Sequence, residues 1–197
     1  MKIRRSTSAS ASDFRAFWNA ALSRQKTVGS QLWPPYPTEK IEAEILSGLH
    51  FSVFLPDDQL AGYFSVTFSD KTIWQDKERG DAIYIHRMCA NPACKGTNLA
   101  SSILTWAYGF AAGAGRKLIR MDTWADNPRL LNYYVTCGFR HIGNKQLGLV
   151  PDLLPHYNNL NLALFENAVD YFEGIESRNT KSAAILSLRT MITSRPV

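Results

Sequence analysis

The stretch that most restricts how this chain can fold is residues 81–113. It opens with "DAIYIHRMCA" (81–90), β-rich and largely apolar, as a central strand covered on both faces must be. It closes with a helical pattern over about 98–113, where Leu99, Ile103, Ala107, Phe110 and Ala114 recur at helical spacing. Between them lies the turn "NPACKGTNLASS" (91–102). A strand that passes at once into a helix points to an α/β architecture. A helix start also carries unpaired N–H groups and positive partial charge, which suits an anion. Gly96 lets a ligand approach the backbone, Ala100 stays clear of it, and Lys95 adds a cation. Many ordinary strand-to-helix turns hold one glycine and one lysine, so the turn alone leaves both readings open.

The flanking segments extend the pattern. "MKIRRS" reads as a first strand, and Ser12 or Asp13 can cap a helix to about Arg24 with Phe14, Phe17, Trp18 and Leu22 on its apolar side. "LWPPYP" (32–37) excludes helix, because each proline restricts itself and its predecessor. A second helix is expected over Thr38–Ser47. "HFSVFLP" (50–56) and "LAGYFSVTF" (60–68), joined by a polar turn, form an antiparallel hairpin. The charged run 69–80 reads as an exposed loop. Beyond residue 113, "KLIRMDTW" (117–124) is a strand, Asn127-Pro128 opens a helix, and Gly138 closes it. "FRHIG" (139–143) and "LNLALFE" (160–166) supply two more strands. The order is β, two helices, three strands, helix, strand, helix, two strands, an α/β sandwich with mixed strand directions.

A chain of 197 residues suits one domain with a sizeable core. With 45% apolar and 20% charged residues it is typical of a globular protein, and no apolar run approaches the roughly 20 residues of a membrane helix. The Arg- and Ser-rich start resembles a transit peptide only superficially, since it lacks a clear amphipathic face. Cys89, Cys94 and Cys137 have no metal-ligand spacing, so no metal is expected, and an odd count fits a reducing, cytoplasmic setting. The net charge of +5 favours an anionic partner. A phosphorylated small molecule satisfies that charge, and no basic–aromatic cluster supports nucleic acid.

Asn127, Tyr134, Gly138 and Phe139 form an N-x6-Y-x3-G-F pattern within one strand–helix–strand unit. With "HRMCANPACKGTNLA" ahead of it, the chain from 1 to about 165 resembles the GCN5-related N-acetyltransferase family. The resemblance implies a GNAT-like acyl-CoA N-acyltransferase fold, with a mixed, mostly antiparallel sheet of about six to seven strands flanked by helices. It also implies an acetyl-CoA-dependent N-acetyltransferase, with acetyl-CoA as co-substrate and an amine acceptor. "CKGTNLA" is similar to the family's pyrophosphate motif, Q/R-x-x-G-x-G/A. Lys95 stands at its Gln/Arg position, Asn98 at its middle glycine and Ala100 at its last small position. Gly96, Thr97, Leu99 and Ser101 complete the cradle. The backbones of Met88, Cys89 and Ala90 would pair with the pantetheine amides, and Asn127 caps its helix with an implied contact to CoA. The tail from 166 is left outside the resemblance and reads as a helical appendage, over Ala168–Ile175 and Ala183–Ile192, suited to covering a sheet face or to forming a homodimer.

Acyl transfer to an amine needs an acid for the leaving thiolate and a base for the incoming ammonium. Tyr134 is the expected acid; the bland alternative is packing beside Leu130 and Leu131. His86 titrates in the range a base requires, though a lone strand histidine is as often structural. Asp122 either holds a cationic acceptor or an ordered water, or bonds its own loop. Trp33 and Tyr36, in the loop 26–38, are expected to border the acceptor entrance together with the loop 143–160. No partner is evident to activate a cysteine, so direct attack in a ternary complex is preferred over an acyl-cysteine. The rival class is a non-catalytic acyl-CoA-binding module of the same fold.

Overall fold

A computed structural model describes residues 1–27, 29, 32–149 and 158–169. Its strands are β1 (Lys2–Arg5), β2 (His50–Phe54), β3 (Leu60–Thr67), β4 (Ala82–Ala90), β5 (Leu118–Trp124), β6 (His141–Gln146) and β7 (Asn161–Ala168). The helices are α1 (Ser10–Thr27), α2 (Thr38–Leu46), α3 (Lys71–Trp74), α4 (Leu99–Gly113) and α5 (Pro128–Thr136). The strands form a single seven-stranded sheet in the order β1-β2-β3-β4-β5-β7-β6. Every neighbouring pair is antiparallel except β4 and β5. The expected mixed, mostly antiparallel sheet is the one observed.

The parallel β4–β5 ladder is short. It joins Ala82 to Leu118, Ile83 to Ile119 and Tyr84 to Arg120, and goes no further. Beyond Tyr84 the two strands diverge, so the second half of β4 keeps β3 as its ladder partner while β5 pairs along its whole length with β7. A bulge accentuates the parting. Ser65 faces His86 and Tyr63 faces Cys89, which leaves Phe64 opposite two residues, Arg87 and Met88. Arg87 absorbs the extra residue at φ +54°.

Alternation along the strands assigns the two faces. Phe51, Phe64, Ile83, Ile119 and Phe165 pack under α4 through Ile103, Ala107 and Ala111. The α4 stripe departs from the expected one at its end, where Ala111 is buried and Ala114 exposed. The opposite face has two separate covers. Over β3 and β4 lie α1 and α2, through Phe14, Trp18, Ile41 and Ile45 against Tyr63 and Cys89. Over β5 and β7 lies α3, through Ile73 and Trp74 against Tyr84, Leu162 and Leu164.

Several boundaries differ from the sequence expectation. Helix α1 starts at Ser10, because the Ser10 hydroxyl accepts from the Thr7 N–H at 3.2 Å and closes the first turn earlier. The run 69–80 is an anchored segment, with α3 and a 3-10 turn at Gln75–Lys77, since Ile73 and Trp74 are buried. Phe139 lies ahead of β6, buried in the core rather than paired in a strand. β7 runs to Ala168, so that residue belongs to the sheet and not to a tail helix. The remaining tail positions, from 170, lie outside the described residues.

Gly62 fixes how closely β3 approaches the β4–α4 junction. A Cβ there would sit 2.6 Å from the Cys89 carbonyl oxygen and 2.8 Å from a Leu99 methyl. Gly62→Ala is therefore expected to destabilise the fold by about 1–3 kcal/mol. Exposed Gly109 inside α4 has nothing within 4 Å of a new Cβ, so Gly109→Ala is expected to stabilise by about 0.5–1 kcal/mol. Urea midpoints of the two variants check both signs.

Candidate active site

The parting of β4 and β5 opens into a cavity of about 330 Å³ between the two covers. Trp18, Trp33, Pro34 and Tyr36 wall it on the α1–α2 side, and Asp70 and Ile73 on the α3 side. His86, Arg87 and Met88 come from β4, and Met121, Asp122 and Thr123 from β5. Tyr134 reaches it from α5, on the far side of the sheet, so the cavity extends through the gap between the strands. The sequence-expected Tyr134, His86, Met88, Trp33, Tyr36 and Asp122 thus gather around one space.

Tyr134 packs edge-on against Phe139 and Phe165, with centroids 5.7 and 5.8 Å away. Its hydroxyl makes no hydrogen bond among the described residues. Burial, reinforced by Tyr133, Cys137 and Asp122, pushes its pKa above the usual phenol value, so it stays protonated. A protonated, unengaged phenol at the gap is equipped to donate to a developing thiolate. Tyr133, by contrast, turns toward the Ala100 N–H at the start of α4.

In the cavity lining stand Asp70, His86 and Asp122, and one polar side-chain atom from each lies within 4.8 Å of the other two. The His86 Nε2 is 3.1 Å from Thr67 Oγ1 and 4.0 Å from Asp70 Oδ2. Thr67 donates its hydroxyl proton to the Ser69 carbonyl at 3.2 Å, so we assign the proton of the neutral imidazole to Nε2, donating to Thr67. Burial and the nearby Arg87 cation push the His86 pKa down to about 3. Such an imidazole is a weak proton acceptor near neutral pH. Burial pushes Asp70 up to about 6, and burial with Asp70 alongside pushes Asp122 up to about 7.

Asp70 is a member that sequence reading missed, having placed it in an exposed loop. It caps α3, accepting from the Ile73 N–H at 3.3 Å, and its own N–H donates to Glu78 at 2.8 Å. A cap residue followed by apolar Ile73 and Trp74 inside a charged run was the available signal. Also unforeseen is the pair at the mouth. The Arg87 guanidinium lies 2.9 Å from Glu44 and 5.1 Å from the Tyr36 ring centroid. Tyr36 donates to the same Glu44 oxygen at 2.6 Å. Trp33 stacks on Trp18 at 4.5 Å.

The β4–α4 turn forms a second region. Gly96 has φ +78°, with open space where a Cβ would point, and Asn98 has φ +55° just ahead of the helix. Asn98 makes no side-chain cap bond, so it serves through its backbone conformation. Lys95 is exposed, the Thr97 hydroxyl donates to the Cys94 carbonyl at 2.8 Å, and Leu99 and Ala100 are buried. The opening N–H groups of α4, at Leu99, Ala100 and Ser101, have no acceptor within the helix. This exposed, glycine-lined turn fits a diphosphate. Cys89 packs its side chain under α1, and the backbone of Met88, Cys89 and Ala90 lies beyond the last pairing with β5. The Asn127 side chain accepts from the Leu130 N–H at 3.1 Å, which makes it the helix cap expected from sequence.

The left-handed angle at Asn98 gives a stability prediction. Asn98→Gly should keep the urea midpoint of the parent. Asn98→Val, on an exposed position, should lose about 1–2 kcal/mol from backbone strain alone.

Among known proteins, the model of the acetyltransferase (GNAT) family matches residues 15–139. The uncharacterized N-acetyltransferase YesJ of Bacillus subtilis is 29% identical over 98 residues, 48% of this chain. The matched part spans 54% of that relative's length. A GNAT-family acetyltransferase from Listeria monocytogenes superposes with a TM-score of 0.65 at 20% identity, covering 85% of this chain and 94% of that one. The yncA protein of Salmonella typhimurium, solved with its cofactor acetyl-CoA, gives 0.58 at 16% identity, covering 85% and 93%. These likenesses carry the same fold, and the family match spans both the opened strand pair and the α5 tyrosine. The chain belongs to the acetyltransferase (GNAT) family.

Proposed function

We propose that this protein transfers an acetyl group from acetyl-CoA to a primary amine by direct attack in a ternary complex. The observation that carries the reading is the cavity that runs through the β4–β5 gap to the unengaged Tyr134 hydroxyl. The same β4 leads into the anion-ready turn at 95–101, so the two ends of one cofactor would lie along one strand and its following helix. Lys95 and the N–H groups between Gly96 and Ser101, apart from that of Ala100 which Tyr133 approaches, would hold the pyrophosphate. The backbone of Met88, Cys89 and Ala90 would bind the pantetheine amides. Acetyl-CoA would supply the activated thioester carbonyl.

In this reading the amine enters past Trp33 and Tyr36 and reaches the gap above Asp122. Attack on the carbonyl forms the C–N bond, the C–S bond breaks, and the Tyr134 O–H protonates the sulfur. Asn127 orients the start of α5 and thereby the phenol. The buried cavity and the protonated tyrosine favour an enzyme over a module that only binds acyl-CoA. The cysteines do not enter the chemistry. Burial pushes Cys89 up to about 12, so it stays a thiol.

Acetyl-CoA is expected to raise the melting temperature, and a thiol-release assay over a panel of primary amines is expected to identify turnover. Tyr134→Phe should lower kcat roughly 100-fold or more with acetyl-CoA stabilisation retained. Asn98→Gly should retain acetyl-CoA affinity. Stabilisation by acetyl-CoA without turnover of any amine would favour the binding module. No stabilisation by any acyl-CoA would remove the proposal.

A further inference from the structure

We propose that Asp70 and Asp122 act as one buried carboxylate pair, which seats the acceptor as a primary ammonium ion and takes its proton before attack. The inference rests on the N-acetyltransferase reading and names its acceptor class and proton acceptor.

The geometry singles out Asp70. Its side chain is nine-tenths buried, its Oδ2 is buried with no hydrogen-bond partner, and the residue lines the cavity. The other oxygen is engaged by the Ile73 N–H. A carboxylate held by one oxygen, with the other buried and unpaired beside the cavity, calls for a donor that the described residues do not provide. Asp122 comes from β5 across the same space, within the 4.8 Å that also encloses His86. Two carboxylates this close resist simultaneous ionisation, and a cation between them removes the penalty.

The charged neighbours do not supply that cation. Arg87 is committed to Glu44 at 2.9 Å and to the Ser65 hydroxyl at 3.0 Å. Lys145 donates to Gln75 at 2.7 Å, and Glu78 accepts from the N–H groups of Asp70 and Gly80. Lys40 lines the cavity from α2, at the mouth. His86, assigned as the neutral Nε2–H form, spends that proton on Thr67. Tyr134 stays a protonated donor. The remaining position is one for a cationic donor entering from outside, and a primary ammonium offers three N–H groups to share between the carboxylates and the gap.

The proton balance follows. The ammonium gives one proton to the pair, an N–H bond breaking as an O–H bond forms, and the nitrogen lone pair is freed for attack on the thioester. After C–N bond formation and C–S cleavage, the sulfur takes the Tyr134 proton. The second nitrogen proton restores Tyr134, and the pair releases its proton to solvent when the amide leaves. One ammonium and one thioester give one amide, one thiol and one proton.

Two measurements on the full chain test this. Carbon-13 labelling of the aspartates should reveal two carboxyls titrating near the pH 6 to 7 given by their surroundings, and Asp70→Asn should lower the titration of Asp122. Both carboxyls ionised by pH 5 would overturn the pair. In turnover of phenethylamine, putrescine and lysine methyl ester, Asp70→Asn should lower kcat/KM at pH 7 about 100-fold. The loss should shrink toward about pH 10, where the amine deprotonates unaided. A purely structural role would give a loss independent of pH. Asp122→Asn should behave alike, and acetyl-CoA stabilisation should persist in both variants. If wild type binds acetyl-CoA and acetylates these amines with the same pH profile as Asp70→Asn, the pair fails alone. If wild type is not stabilised by any acyl-CoA, the family-level reading fails and the pair with it. Stabilisation by manganese that Asp70→Asn abolishes would reassign the cluster to a metal and overturn the proposal.

Discussion

The parallel ladder between β4 and β5 ends after three pairings, at Tyr84 and Arg120, and the site depends on that early ending. A longer ladder would seal the sheet and shut Tyr134 away from His86, Asp70 and Asp122 on the other face. The separation is held open from both sides. Antiparallel pairing commits β5 to β7 along its length, while β3 holds β4 through a bulge at Arg87. The main-chain groups of β4 beyond Tyr84 are thereby left without a β5 partner.

The α3 side of the cavity rests on a buried guanidinium. Arg120 pairs with Glu166 at 2.9 Å, donates to the Lys77 carbonyl at 2.8 Å and to the Tyr84 hydroxyl at 3.0 Å, and lies over the Trp74 ring. Buried charge of this kind persists only when its donors are satisfied, and here they are met by three different elements. Its effect is to pin a charged surface run against the sheet, so that Asp70 projects from a fixed platform.

The element order and most strands were legible in the sequence because their signals are local: periodicity, proline, and caps such as Asn127. The sheet order and the extent of the β4–β5 ladder are set by pairings far apart in the chain, to which local pattern is blind. The same limit hid Asp70, since the burial of its segment depends on Arg120, about fifty residues away. Asn98 illustrates the opposite case. The sequence appeared to lack a glycine, but the position demands a left-handed backbone, and asparagine meets that demand at φ +55°. Tyr134 was reached through a motif, since nothing in its local pattern separates it from Tyr133.

The Arg120 anchorage has a consequence for how acceptor choice can diversify. Asp122 lies on β5 two residues from Arg120, and Asp70 lies on the segment that Arg120 grips, so both carboxylates belong to one mechanical unit. Trp33, Tyr36 and Glu44 belong to the other cover, joined to the first mainly through the sheet beneath. The entrance can then be reshaped, residue by residue, while the distance between the carboxylates stays as it is. Selection for a new substrate and preservation of the proton chemistry act on separate parts of the chain.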